Sequence, residues 1–281
     1  MSKVFEDPDG FVTVSKKKSF KGSAKTTNIP NKLAFTDRKD LPIDINKARA
    51  CILTCLQDIY SPYFETVFKS INISFPPPRR KVDLVSFGLG HIGDCIASRY
   101  QLAFLIFLRD AFNATRVSVH DPLFFKDEIT ILKEFNLNVI EENTEGCYPI
   151  EEDCDLTIIY LPHCPIALTN NFLWSNWSSN LNKCVLICNS FSSVLDSHLT
   201  KDLISTYPYF HKISQYTDEF VPENNFRFND IFNNISIHTF PINKLKKLPE
   251  EFWQKECERP KYRTAHEDFI TAELIDKLHI T

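Results

Sequence analysis

Four polar clusters in this chain combine residue types that can hold a small ligand or act on one. Gly88-Leu89-Gly90-His91-Ile92-Gly93-Asp94 sets three glycines ahead of an apolar helix pattern. His120-Asp121-Pro122 offers a carboxylate, Pro162-His163-Cys164-Pro165 a histidine beside a thiol, and Asn189-Ser190 an amide and a hydroxyl. Glycines permit a tight turn and close backbone approach, and a helix N-terminus supplies unpaired N–H donors. The chemistry on offer is ligand binding at a glycine turn, with His163 and Cys164 as the groups closest to a reactive pair. Gly88, Gly90, Gly93, Arg99, Asp121, His163, Cys164, Asn189 and Ser190 are therefore the candidate ligand-binding residues.

Each has a plain structural alternative. Tight strand-to-helix turns in ligand-free proteins also use glycine. Asp121 is placed to accept from ribose hydroxyls, yet Asp followed by Pro is also an N-cap and N1 pair. Arg99 lies on an apolar helix pattern, where a buried guanidinium needs an anion such as Asp121 or a ligand carboxylate, unless the position is exposed. His163 and Cys164 lack further ligands at metal spacing, and no base or orienting partner can be assigned to them. Their flanking prolines fit a rigid shaping turn as an alternative to chemistry, so the catalytic residues stay unassigned and no metal site is expected. Cys184 and Cys188 alternate within a strand pattern and read as core, as do Trp174 and Trp177 on a helix.

The spacing argues against NAD. Asp94 sits at the expected helix start, where a carboxylate caps the helix and repels phosphate. Asp121 lies 28 positions beyond Gly93, whereas dinucleotide binders use about 20. A cationic nucleoside such as S-adenosylmethionine, which carries no phosphate, is compatible with both.

The elements that must position these clusters alternate. Strands are expected at Val82–Phe87, Arg116–His120, 138–142, Leu156–Leu161, Cys184–Asn189 and 235–240. Helices are expected over 95–112, 124–135 and 170–177. Alternation of β and α argues for a doubly wound, mostly parallel sheet with helices on both faces, Rossmann-like and methyltransferase-like. Ligands in such sheets bind outside the carboxyl ends of the strands, where all four clusters fall. Ile45, Ala48, Ile52, Cys55, Leu56 and Ile59 mark an amphipathic helix, so 44–75 reads as a helical lead-in packed on the sheet. Beyond 190 the pattern weakens, with helix-to-loop over 204–210 and helices at 248–257 and 265–278.

Residues 1–40 are polar and carry Lys16-Lys17-Lys18, and are expected to be a mostly disordered tail. The lysines are a nuclear-entry or nucleic-acid contact in the functional reading and a solvated run in the plain one. Asp9–Val14 is a short docking peptide in the functional reading and part of the solvated tail in the plain one. Residues 41–281 then form a single domain with its core at 80–240. A net charge of −4 gives no global field for nucleic acid or an anionic membrane. No apolar run reaches the roughly 18–20 residues of a membrane span. The first residues lack the apolar stretch of a signal peptide, and many of the nine cysteines sit among apolar residues, so a cytoplasmic or nuclear protein is expected.

The string from Gly88 to Ser190 resembles the SRR-like (Sensitivity to Red Light Reduced-like) family. The pieces that carry the resemblance are Gly88-Leu89-Gly90, Ser98-Arg99-Tyr100-Gln101-Leu102-Ala103, Asp121-Pro122 with Glu128, and Pro162-His163-Cys164-Pro165. Asn170-Asn171-x-Leu173-Trp174-x-Asn176-Trp177, Asn189-Ser190-Phe191, Phe228-Asn229-Asp230 and Ser236-Ile237-His238 continue it. The resemblance implies a regulatory protein, associated with circadian clock input, plant light signalling and heme biosynthesis in animals, with fungal relatives linked to microtubule-related processes. It implies no established reaction, and a methyltransferase-like enzyme stands as the alternative to a regulatory protein. Heme joins S-adenosylmethionine as a candidate cofactor, through that association and the Cys164-Pro165 dipeptide.

Overall fold

The computed structural model describes residues 41–59 and 61–262, together with two short strands near the start, β1 (Lys3–Glu6) and β2 (Val12–Ser15). The chain divides into two compact units, Met1–Asp37 and Arg38–Thr281. In the first, β1 and β2 pair antiparallel, with Lys3 opposite Ser15 and Glu6 opposite Val12. The expected tail, the lysine run and most of the Asp9–Val14 peptide otherwise lie outside the described residues, as does the helix expected over 265–278.

The second unit opens with helix α1 (Ile45–Asp58), whose N-cap Asp44 accepts the Lys47 N–H at 2.9 Å. Helix α2 (Pro62–Ser74) follows, with proline at its first position, where no N–H is missed. Strand β3 (Val82–Phe87), helix α3 (Ile96–Phe112), strand β4 (Arg116–His120), helix α4 (Lys126–Glu134) and the two-residue β5 (Asn138–Val139) come next. Then follow β6 (Leu156–Leu161), α5 (Ile166–Ser175), β7 (Cys184–Asn189), α6 (Phe191–Ser197), α7 (Thr200–Thr206), α8 (Pro208–Ser214), β8 (Asp218–Phe220), β9 (Ile235–Thr239) and α9 (Ile242–Leu245).

The sheet has the order β5-β4-β3-β6-β7-β9-β8. Strands β5, β4, β3, β6 and β7 run parallel, while β9 lies antiparallel to both β7 and β8. Every residue of β3 and β6 is buried, as strands covered on both faces must be. The pleat sends alternate side chains to two cores. Val82 and Leu84 of β3 join α1, α2 and α3 on one face, and Val85 and Phe87 join α5, α7 and α8 on the other. Phe64 of α2, Phe104 of α3 and Phe232 meet with ring centroids 4.8–5.7 Å apart, fastening the helical lead-in to the first core.

The expected doubly wound, mostly parallel sheet with helices on both faces is the fold found. Several boundaries differ for local reasons. The fifth helix begins at Ile166, directly after Pro165, rather than at 170. Pro208 divides the 204–210 segment into two helices. The helix expected over 248–257 is a single 3-10 turn at Glu250–Trp253. It is held by the Trp177 indole N–H donating to the Phe252 carbonyl at 2.8 Å and by the Phe252 ring stacked on Trp177 at 5.2 Å.

Candidate functional site

Order reverses between β3 and β6. Strand β3 connects through α3 to β4 on one side, and β6 enters on the other. A crevice at such a switch point is where open α/β sheets hold ligands. Here a cavity of about 250 Å³ opens, lined by residues from the ends of β3, β4 and β6, by Asn143, and by Leu168 of α5. Of the nine candidates, Gly88, Gly90, Asp121, His163 and Cys164 line it; Gly93, Arg99, Asn189 and Ser190 do not.

Gly88 and Gly90 have φ of +73° and +69°, the left-handed region that a Cβ penalises. The Gly88 N–H donates to the His120 carbonyl at 3.1 Å, so the turn continues the β3–β4 ladder. The amides of the loop's two other glycines are held by carboxylates. Asp121 Oδ2 accepts the Gly90 N–H at 2.7 Å, and Glu128 Oε1 accepts the Gly93 N–H at 2.8 Å. Glu128 is fully buried; its Oε2 also takes the Phe125 N–H at 2.9 Å and lies 3.0 Å from His91 Nδ1. These three glycine amides are therefore spent inside the protein.

This corrects three expectations. Asp94 does not cap α3: the helix starts at Ile96, its N-cap is Cys95, and Asp94 stands exposed one residue outside. Asp121 does not cap α4, whose first residue is Lys126; its Oδ1 instead accepts the Leu123 N–H at 2.8 Å in a local turn. Arg99 pairs with neither Asp121 nor a pocket. Its Nε donates to the Ile92 carbonyl at 2.9 Å and its Nη2 to the Gly93 carbonyl, tying α3 back onto the glycine loop.

Burial raises the Asp121 carboxyl above the ordinary range, against the pull of the Leu123 and Gly90 amides and of His120 and His91. Cys164 is buried, and burial pushes its thiol well above the usual value, with the Asp121 and Cys188 charges adding to the rise. The thiol donates toward the Phe87 carbonyl at 3.3 Å. A protonated, inward-turned thiol is neither a nucleophile nor a ready heme ligand. His163 is exposed, has φ of +53°, and its Nε2 contacts the Ile231 carbonyl at 2.9 Å. Asn189 spans strands: its amide donates to the Cys164 carbonyl at 3.0 Å, while its Oδ1 is buried without a protein partner. Ser190 caps α6, accepting the Ser193 N–H at 3.1 Å.

Two residues matter more than their sequence suggested. His120 closes strand β4 at the cavity wall. Its Nδ1 lies 2.8 Å from the Ile140 carbonyl, and its Nε2 is buried with no protein partner. The signal available was its place beside Asp121 at a strand end. Glu128 binds the loop from three residues into α4, a position that a helix capping pattern can suggest. Leu168 and Asn143 reach the cavity through the fold alone.

An SRR1 domain model matches residues 67–239. An SRR1-like protein of Mus musculus is 38% identical over 136 residues, which is 47% of this chain and 54% of that protein. An SRR1-like protein of Drosophila melanogaster is 28% identical over 204 residues, 72% of this chain and 71% of that one. Protein SENSITIVITY TO RED LIGHT REDUCED 1 of Arabidopsis thaliana is 28% identical over 114 residues, 40% of each chain. The match thus spans about half the length of the mouse relative. Among solved structures, the plantazolicin methyltransferase BpumL in complex with a triazolic analog and SAH aligns at a TM-score of 0.32 and 13% identity, over 69% of this chain and 96% of its own. No helix among the described residues is long and apolar enough to cross a membrane.

Proposed function

The chain belongs to the SRR1 domain family, and on that premise we propose that it is a regulatory protein whose α/β core carries a small-ligand cleft in place of a catalytic centre. Its assignment to circadian clock input and to control of heme biosynthesis, in the cytoplasm or nucleus, is part of the same proposal.

One observation carries the reading. The cleft between Gly88, Asp121 and Cys164 is a formed cavity, yet its thiol is buried, kept protonated and bonded to the Phe87 carbonyl. A nucleophile needs an adjacent base and a lowered pKa, and Cys164 has the opposite environment. A pocket with positioned polar groups and no activated nucleophile binds more readily than it reacts.

Calorimetry of the purified chain with S-adenosylmethionine, S-adenosylhomocysteine, NAD and heme tests it. Binding of one of these, abolished by Leu168→Trp, supports a ligand cleft. The absence of any heat change up to millimolar concentrations overturns it. Heme is also followed by absorption, and an unshifted Soret band removes it.

The second reading is a methyltransferase-like enzyme holding S-adenosylmethionine at Gly88–Gly93 and Asp121. The exposed His163, set at the cavity edge with a left-handed backbone, favours it as the one titratable side chain there open to a second substrate. Failure of S-adenosylmethionine to bind below millimolar concentration would sink that reading.

A further inference from the structure

The ionisable side chains around the cavity offer lone pairs, beside the Asn143 carboxamide and the Cys164 thiol, whose hydrogen is turned to the Phe87 carbonyl. A carbonyl only accepts, so the short contact from His120 Nδ1 to the Ile140 carbonyl puts the ring proton on Nδ1. In the neutral ring Nε2 is then an acceptor, and it is buried with no protein partner, in a residue only 5% exposed. His163 repeats the arrangement in mirror form. Its Nε2 faces the Ile231 carbonyl, which leaves Nδ1 as the accepting nitrogen. Asp121 adds two carboxylate oxygens, each with lone-pair capacity beyond its one backbone N–H.

The glycine amides beside the cavity are already used. The amides of Gly88, Gly90 and Gly93 bond to His120, Asp121 and Glu128. Among the described residues lining the cavity there is no Lys or Arg. A phosphate placed here would meet carboxylate and imidazole lone pairs with nothing to compensate its charge. A ligand with N–H or O–H groups would meet the remaining lone pairs of Asp121 and the Nδ1 of the exposed His163. The remaining wall is apolar, with Phe87, Pro122, Leu123, Pro165 and Leu168 suited to the faces of a flat ring. A cavity of about 250 Å³ lies just under the roughly 300–1,000 Å³ of drug-sized ligand sites.

Resting on the reading of this cavity as a ligand site, we propose that it takes an unphosphorylated nucleoside, a flat heterocycle with amine and hydroxyl donors, neutral or cationic, and rejects the phosphorylated counterpart. Selectivity follows from lone pairs that only a donor can satisfy, a discrimination that built polar sites achieve strongly.

The test is calorimetric titration of the full chain with adenosine, S-adenosylmethionine and AMP. Adenosine or S-adenosylmethionine should bind, AMP at least tenfold more weakly. Asp121→Asn, which puts an N–H donor in place of carboxylate lone pairs, should weaken the nucleoside at least tenfold while circular dichroism reports an intact fold. Should Asp121→Asn fail to fold, His163→Ala replaces it, with the same tenfold loss expected. AMP binding as tightly as adenosine, with Leu168→Trp abolishing both, overturns the proposal and leaves the cleft standing. Nucleoside binding untouched by Leu168→Trp overturns the cleft as well. If no nucleoside binds but heme does so in the cavity, only the nucleoside class falls.

Discussion

Gly88 and Cys164 touch across two strand ends: a Cβ built on Gly88 would lie 2.4 Å from the Cys164 sulfur. The glycine is there for the close approach of β3 to the β6 turn as well as for its φ of +73°. Gly88→Ala therefore carries two costs, roughly 1–2 kcal/mol for a left-handed alanine and about 1–3 kcal/mol for overpacking. Cys164→Ala removes the sulfur and with it the second cost. A double-mutant cycle by urea denaturation should give a favourable coupling of about 0.5–3 kcal/mol. Additive effects would mean that the thiol has room to move aside.

A buried charge pair supports the other end of the same strand. Asp83 of β3 is 1% exposed and accepts from Arg116 Nε at 3.0 Å and Nη2 at 2.6 Å. The Tyr148 hydroxyl donates to Asp83 Oδ2 at 2.9 Å. Removing the arginine strands a buried carboxylate. Arg116→Met should destabilise by roughly 3 kcal/mol, the low end for a broken buried pair because the guanidinium is half exposed. Tyr148→Phe removes a hydrogen bond to a charged acceptor and should cost about 1.5–3 kcal/mol. Denaturation midpoints of the two variants check the ranking, and a larger loss from Tyr148→Phe would overturn it.

The parallel core was legible because strands buried on two faces leave near-continuous apolar runs; Val82–Phe87, Leu156–Leu161 and Cys184–Asn189 could be read directly. Strand β8 could not, since Asp218-Glu219-Phe220 has no alternation and exists by pairing with β9. The strand ends were legible as a place, and their internal wiring was not. Spacing can nominate Asp121 and Arg99, but only the fold decides that Asp121 bonds to Gly90, 31 positions away, and that Arg99 turns to Ile92. Glu128 makes the same point, because one helix position lets it hold the loop, the helix start and His91 at once.

The thiols should separate by reactivity. Burial lifts Cys95, but the Ser98 hydroxyl and the Ser98 and Ala97 amides at the start of α3 outweigh it and bring the thiol below its ordinary value. Cys95 is exposed, whereas Cys164, Cys184 and Cys188 are buried and pushed up by desolvation. The thiolate is the reactive form. Brief iodoacetamide treatment of the native chain at neutral pH, read by peptide mass spectrometry, should modify Cys95 ahead of those three. Early labelling of Cys164 would contradict the burial of its thiol.

Acid should weaken the β8–β9 end of the sheet. His238 of β9 is fully buried, stacks on Phe191 at 3.8 Å, and its Nε2 accepts the Phe191 N–H at 3.3 Å. Burial lowers its pKa, only partly offset by Glu219 and the Leu186 carbonyl. The unfolded histidine takes its proton near pH 6.5, so the unfolded state binds more protons below that point and stability falls as pH falls. Burial alone would raise Glu219, but His238, the Ser190 hydroxyl and the Ser192 amide outweigh it and hold the carboxyl far below the usual range. Its contribution is present above the unfolded carboxylate value of about 4.3 and is lost as pH drops further. Urea midpoints should therefore decline from pH 7 to 5 and again below about 4.3. His238→Gln should flatten the first limb and Glu219→Gln the second. A midpoint that stays level from pH 7 to 5 in the parent chain would show that His238 accepts its proton without disturbing β9.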